Sequence, residues 1–323
     1  MNIFVTGCCG FIGTNFVKLV LKERPDWSIV NMDALTYAGN RENLSDVENL
    51  PNYTFFCGDI TSESDIYAAD RLIAFDIDAI INFAAESHVD NSIANPGVFI
   101  RTNVEGTLNL LKYACKKNIR FLQVSTDEVY GSLGPDGYFT ECTPLAPNSP
   151  YSASKAAADF LVRAWHETYK LDTVITRCSN NYGPYQFPEK LIPLALTNLM
   201  QGKKIPVYGE GLNIRDWLYV EDHCRGIMLA LEKGKPGRVY NIGGNNEWKN
   251  IDIAHELVKI MGMGEVEFVT DRPGHDLRYA IDATRIREEL GWEPKYDFAA
   301  GLPATVQWYK ENESWWKPLK DRL

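Results

Sequence analysis

The sequence predicts an α/β fold: a doubly wound parallel sheet, with a smaller, discontinuous α+β lobe. Three observations point there. Short apolar runs alternate with helical patterns through the first half of the chain. A glycine-rich turn follows the first of those runs. From about Ser179 onward Pro184, Pro188, Pro193 and Pro206 break the chain into short pieces.

Residues 3–6, 28–32, 53–57, 79–83 and 120–125 are short runs rich in Ile, Val and Phe, the pattern of strands buried on both faces. Between them, residues 11–23, 62–74 and 98–117 place apolar side chains three and four apart, as helices do. Strand and helix in alternation imply right-handed crossovers and a parallel sheet covered on both sides. A long helix at 151–170 leads to strands at 173–177 and 238–242, the last closed by Gly243-Gly244. The later half adds helical stretches near 191–201, 222–233 and 251–261. The expected division is 1–178 plus about 219–243 for the sheet domain, and about 179–218 with 244–323 for the lobe. Such a lobe lies over the carboxyl ends of the strands, where open α/β sheets bind ligands.

Composition narrows the function. The chain has 323 residues, 45% hydrophobic and 24% charged, with a net charge of −10 and no basic block. That disfavours nucleic acid and anionic membranes as partners. No apolar run approaches membrane-spanning length. The start of the chain has neither a basic region nor a cleavage site, so a cytoplasmic protein is expected. Seven cysteines without C-x-x-C spacing suit reduced thiols, and the five histidines show no metal-ligand spacing, so no metal is expected. An anionic small molecule remains possible where a few cations are gathered.

Gly7-Cys8-Cys9-Gly10-Phe11-Ile12-Gly13 sits between the first strand and the first helix. There a glycine turn lets backbone approach a pyrophosphate, whose charge meets the helix N-terminus. Asp33 ends the second strand, about twenty residues on. A carboxylate at that place accepts from both ribose hydroxyls and repels a 2′-phosphate, so the expected cofactor is NAD in a Rossmann-type site. Asp59, with Ile60, is placed either to meet the adenine or to cap the helix near Ser62.

Tyr151 and Lys155 stand one helical turn apart, so both side chains leave one face. A neighbouring ammonium and a positive nicotinamide would favour phenolate and bring a poor base toward use. Ser125-Thr126-Asp127-Glu128 follows an apolar strand, which delivers a hydroxyl and two carboxylates, an acid and a base, to the same sheet edge.

With these segments on view the chain resembles the extended short-chain dehydrogenases/reductases, the NAD-dependent epimerase/dehydratase family, and within it the 4,6-dehydratases of dTDP-glucose. The resemblance runs over essentially the full length. It rests on Ala84-Ala85-Glu86-Ser87-His88-Val89-Asp90, on Ser125 to Gly131, and on Tyr151-Ser152-Ala153-Ser154-Lys155. Arg177 to Pro184, Arg215-Asp216-Trp217 and Asp271 to Asp276 carry it further. It implies that Tyr151 takes the proton from sugar O4 while hydride leaves C4, with Lys155 holding the nicotinamide ribose and Thr126 bonding O4. Glu128 then removes the C5 proton, Asp127 protonates the departing O6, and hydride returns to C6. It also implies that Leu35, Thr36, Phe83, Ala84, Ala85, Ser87, Thr102 and Asn181 join the glycine turn, Asp33, Asp59 and Ile60 around NAD. For the nucleotide sugar it implies Ser87, His88, Asn180, Lys190, Leu191, Pro206, Tyr208, Arg215, Asn250, Arg272 and His275. Lys190, Arg215 and Arg272 would face the diphosphate, where arginine's fork suits phosphate, and Tyr208 would stack on the base. A homodimer packed through 98–117 and 151–170 is implied as well.

Two departures stand out: Cys8-Cys9 replaces the usual Gly-Ala, so an exposed Cys8 would be open to oxidation, and Asn91 replaces an arginine. The loop between Gly131 and Phe139 is also short. Rival readings are a dehydratase of a UDP- or GDP-sugar, a sugar-nucleotide 4-epimerase, and a non-catalytic NAD sensor. The epimerase needs no adjacent acid and base, and the sensor needs neither Tyr151 nor Lys155.

Overall fold

The computed structural model describes residues 1–72, 76–271 and 274–322. Its centre is a seven-stranded, all-parallel sheet built from β1 (Asn2–Thr6), β2 (Ser28–Asp33), β3 (Tyr53–Cys57), β4 (Ala79–Asn82), β5 (Arg120–Thr126), β6 (Thr173–Cys178) and a later strand, Arg238–Ile242. The order across the sheet is β3-β2-β1-β4-β5-β6 and then Arg238–Ile242. The chain therefore winds outward from β1 in both directions, and the point of reversal lies between β1 and β4.

Alternation along the strands explains why the runs are mostly apolar on both faces. Ile3 and Val5 of β1 face one side, where they join Phe16, Val17 and Val20 of α1 (Phe11–Glu23). Phe4 faces the other side. There it joins Ile66 of α2 (Glu63–Arg71), Leu110 and Leu111 of α5 (Thr107–Lys117), and Val162 of α6 (Pro150–Tyr169). Each such side chain buried in full contributes roughly 1.5–3 kcal/mol. The end of the expected 62–74 helix reaches outside the described residues.

The helix expected at 98–117 is present but not α-helical throughout. After α3 (Val89–Ala94), α4 (Pro96–Phe99) runs into a π-helical turn at Ile100–Gly106 before α5 begins. The wide turn carries Asn103 inward. Its side chain accepts from Glu86 N (2.8 Å) and donates to Glu86 O (3.0 Å) and Ser154 Oγ (2.8 Å), tying the loop after β4 to α6. Gly106 is needed at this bend, since a Cβ there would lie 2.5 Å from Ile60 Cδ1. π turns inside helices concentrate at functional sites, and Thr102 of this one faces the cleft described below.

The later half adds β7 (Asn180–Tyr182), α7 (Leu191–Met200), β8 (Ile205–Tyr208), β9 (Ile214–Tyr219) and α8 (Val220–Lys233), then β10 (Arg238–Ile242), the last strand of the main sheet. After it come β11 (Glu247–Lys249), α9 (Asn250–Met261), β12 (Val266–Val269), α10 (Thr284–Leu290), α11 (Phe298–Glu311) and α12 (Glu313–Lys320). β7, β9 and β11 form one small sheet, with β9 central, and β8 pairs with β12 in another. A second core of Tyr182, Leu196, Trp217, Leu257, Phe298 and Trp316 holds this lobe together. By contrast α8 and α10 pack under the main sheet, through Cys224, Ile227, Ile286 and Leu290. α10 thus leaves the lobe in which residues 244–323 were expected.

Candidate active site

The turn from β1 into α1 is glycine by necessity. Gly7 has φ +71°, and a Cβ on it would fall 2.6 Å from the Ala84 backbone. A Cβ on Gly13 would lie 2.5 Å from Cys8 Cα. The result is bare backbone at the mouth of α1, a cradle that fits a pyrophosphate. Asp33, at the end of β2, accepts from Cys9 N through Oδ2 (2.8 Å) and from Leu35 N through Oδ1 (2.8 Å). Burial raises its pKa, while those backbone bonds oppose the rise. Each oxygen keeps a lone pair for a ribose hydroxyl, so these residues fit NAD.

Cys8 and Cys9 point the other way. Both are fully buried in the core beneath the sheet, and burial pushes both thiols far above their ordinary range. The expected exposed, oxidation-sensitive Cys8 is therefore corrected. Asp59 does not cap α2, because its Oδ1 accepts from Thr61 N (2.8 Å) and Ser62 is the cap. Both Asp59 and Ile60 line the cleft.

That cleft, a cavity of about 330 Å³, runs from Asp33 past the glycine turn to the ends of β5 and α6. Thr126, the last residue of β5, turns the chain and accepts from Glu128 N through Oγ1 (3.3 Å). Asp127 is 2% exposed; Thr126 Oγ1 donates to its Oδ1 (3.4 Å), and its Oδ2 has no hydrogen-bond partner among the described residues. Burial, then the charges of Glu128 and Asp216, hold its carboxyl well above the usual range, against Arg215 and Thr126. These influences bias Asp127 toward its neutral, proton-bearing form. Glu128, half-buried beside it, faces the same cleft.

α6 begins with Pro150 at its first position and a Ser149–Ser152 capping box, which fixes Tyr151 and Lys155 over β5. Lys155 Nζ donates to Val124 O (2.8 Å). Burial lowers the ammonium's pKa, opposed by Asp159. Burial likewise raises Tyr151, followed by Glu128 and Cys178, with only Thr126 among the named causes pulling down. Spacing puts the two side chains on one face, but the ammonium turns to a strand carbonyl.

The family model for GDP-mannose 4,6 dehydratase matches residues 4–305. A dTDP-glucose 4,6-dehydratase of Streptomyces niveus is 51% identical over 327 residues, covering 99% of this chain and 96% of its own. The crystal structure of dTDP-glucose 4,6-dehydratase from Bacillus anthracis, in complex with NAD, is 52% identical with a TM-score of 0.92, covering 99% of both chains. That of the Streptomyces venezuelae dTDP-glucose 4,6-dehydratase, also with NAD bound, is 50% identical with a TM-score of 0.94 and covers 99% of this chain and all of its own. The chain belongs to the dTDP-glucose 4,6-dehydratases. A UDP-glucose 4-epimerase of Thermotoga maritima shares the fold at 28% identity and a TM-score of 0.89, covering 97% of this chain and all of its own.

Within this dehydratase cleft lie Gly7, Gly10, Phe11, Ile12, Gly13, Asp33, Thr36, Phe83, Ala84, Ala85, Ser87 and Thr102, with Asn180, Asn181, Lys190 and the five central residues. Leu35, His88, Leu191, Pro206, Tyr208, Arg215, Asn250 and His275 stand outside its lining. Leu35 serves by its amide on Asp33. His88 caps α3, accepting from Asn91 N through Nδ1 (3.4 Å). Lys190 Nζ donates to Ser87 O (3.0 Å). Arg215 lies with its guanidinium 4.3 Å over the Tyr279 ring, donating to the carbonyls of Ile214 (2.7 Å) and Asp276 (2.9 Å). Tyr208 OH donates to Asp90 Oδ2 (3.3 Å), and its ring meets His275 edge-on at 6.2 Å. His275 Nδ1 is 2.7 Å from Asp271 Oδ1, while Asn250 Oδ1 is buried with no partner among the described residues. Arg272 lies outside the described residues.

Sequence reasoning missed Glu86, Ser125, Cys178, Ser179, Gln186, Phe187 and Glu189, all of which line the cleft. Cys178 ends β6 as Thr126 ends β5, and Ser179 comes next, so the strand-end rule could have found them. Tyr37 OH donates to Glu189 Oε1 (3.1 Å) and its ring meets Phe187 edge-on, a contact across 152 residues that no local pattern announces.

Proposed function

We propose that this protein converts dTDP-glucose to dTDP-4-keto-6-deoxyglucose and water. The observation that carries the reading is one cleft holding a redox tyrosine–lysine pair beside an Asp127 biased toward its neutral form and an adjacent Glu128. NAD, when bound, accepts hydride from C4 and gives it back to C6, while a proton returns to C5. Tyr151 takes the O4 proton, and Thr126 bonds the same oxygen. Lys155 holds the nicotinamide ribose, and Asn181 bonds the cofactor nearby. The resulting ketone acidifies C5–H, which Glu128 removes; Asp127, already protonated, gives its proton to O6 as the C6–O bond breaks. The two carboxyls need opposite protonation, and burial supplies that difference for Asp127. Asn180, Lys190 and the β8, β9 and α9 residues contact the nucleotide sugar.

Residues 1–178 and 219–243, now with α10, form the NAD-binding domain, and the remainder forms the sugar-nucleotide lobe. Among the described residues no helix is long and apolar enough to cross a membrane. All seven cysteines are free thiols, which supports a cytoplasmic location. Exposed Val98 (40%), Ile100 (48%) and Phe160 (57%) support a homodimer through this face. Incubation with dTDP-, UDP- and GDP-hexoses should give a 4-keto-6-deoxy product, fastest with dTDP-glucose and without net NADH. A C4 epimer, or accumulating NADH, would sink the proposal.

A further inference from the structure

α8 carries one side chain that the chemistry above does not use. His223 is completely buried, and its Nδ1 lies 2.9 Å from Asn181 Oδ1. Asn181 donates through Nδ2 to the Ser179 carbonyl (2.9 Å), and its own backbone carbonyl accepts from Gln186 Nε2 (2.9 Å). A carbonyl can only accept, so the amide nitrogen must face Ser179 and the amide oxygen must face the imidazole. Two acceptors do not bond one another, so His223 Nδ1 carries the proton. Burial also pulls the imidazole pKa down to about 3, which keeps the ring neutral at working pH. Nε2 is then a bare acceptor, buried with no partner among the described residues. A phenyl ring would fill the same space without that cost, so packing alone does not account for a histidine here.

What the histidine fixes is the amide. Asn181 lines the catalytic end of the cleft together with Cys178, Ser179 and Lys155. The amide nitrogen is held on the Ser179 carbonyl (2.9 Å) beside Cys178; burial pushes the Cys178 thiol up, and the neighbouring Asn181 side chain is among the groups that pull it down. Without His223 the amide could turn over and present its oxygen there instead. We propose that His223 is a positioning residue, whose Nδ1–H locks the Asn181 amide with its N–H groups toward an oxygen of bound NAD at the catalytic end. This rests on the assignment of Asn181 to the cofactor made above.

The first measurement is the ¹⁵N spectrum of the full chain, with His223→Asn assigning the signal among five histidines. A protonated Nδ1 and a bare Nε2 are expected, unchanged from pH 6 to pH 9. The reverse tautomer overturns the inference, whatever the activity. The second is NAD affinity, with cofactor retention on gel filtration. His223→Leu should weaken NAD by about five- to ten-fold, the worth of one neutral hydrogen bond, and leave the substrate KM unchanged. Asparagine places its amide nitrogen where Nδ1 was and should restore affinity to within about two-fold, whereas glutamine places its own near Nε2 and should not. Equal rescue by both overturns the inference, and their contrast decides even where the leucine variant fails to fold. Asn181→Ala separates the two layers. If it leaves NAD affinity intact, the cofactor assignment falls and this inference with it. If it weakens NAD while His223→Leu does not, only the inference falls.

Discussion

Removing the Asp159 carboxylate should unsettle both the fold and the catalytic lysine. Arg177 Nε donates to Asp159 Oδ2 at 2.9 Å between α6 and β6, with side chains only 6% and 1% exposed. Arg177 also donates to Tyr130 OH (3.0 Å), which donates in turn to Asn241 Oδ1 (2.8 Å), so the pair anchors a buried chain of bonds. Breaking a buried pair by deleting one partner costs about 3–5 kcal/mol, because the other charge is left in the interior. Unfolding entropy is roughly 2.1 cal/mol/K per residue, which over a chain of this length makes about 0.7 kcal/mol per degree. Asp159→Ala should therefore lower Tm by about 4–7 °C. Lys112→Ala, which breaks a pair with Glu63 that is 53% and 56% exposed, should change Tm by no more than about 1.5 °C. Converting Arg177 to Met as well should recover part of the loss. Burial lowers the Lys155 pKa and Asp159 resists that, so the alkaline limb of activity should move to lower pH in Asp159→Ala. Thermal melts of the NAD-loaded protein by circular dichroism, with a pH–rate profile, read both effects. A Tm within 2 °C of wild type, or a double variant no better than the single one, would refute the assignment of the energy to an uncompensated charge.

Three further outcomes follow from the cleft. Gly7→Ala combines a left-handed φ with a 2.6 Å clash on Ala84 and should abolish NAD retention on gel filtration; normal retention would show that the turn relaxes. Glu128→Gln should stop exchange of the C5 proton with solvent while NAD still binds, and fast exchange in deuterated buffer would place the base elsewhere. Asp127→Asn should slow elimination by about 10²–10⁴-fold, measured in single turnovers. It should also change stability in a pH-dependent way. A carboxyl whose folded pKa is raised stabilises the fold while protonated, and that stability is lost as pH rises from the unfolded value through the folded one. Asparagine never loses it. The Tm of Asp127→Asn relative to wild type should therefore climb from pH 4 upward, and a flat difference would mean that the carboxyl is not raised.

The sequence disclosed most of what short-range pattern can disclose. β1 through β6 were legible because burial keeps most of their positions apolar, although β3 at the sheet edge is partly exposed, and the helices between them kept their own spacing. β7, β8, β9, β11 and β12 were not, because strands of three to six residues take their pairing from distant partners, as Ile205 does from Val266. Motif spacing likewise brought Thr126, Asp127, Glu128, Tyr151 and Lys155 together, yet it could not say where Lys155 Nζ points. That direction decides the chemistry. The ammonium is held on Val124 O, Thr126 opposes the rise of the Tyr151 pKa, and burial drives Tyr151 and Asp127 alike toward their neutral forms. For Asp127, the proposed acid, the neutral form is the one the reaction needs. For Tyr151 it is the resting one, and a positive charge must enter the cleft to favour phenolate. Oxidised nicotinamide would bring that charge and its reduced form would not, so in the proposed mechanism the tyrosine acts as a base only while there is hydride to accept.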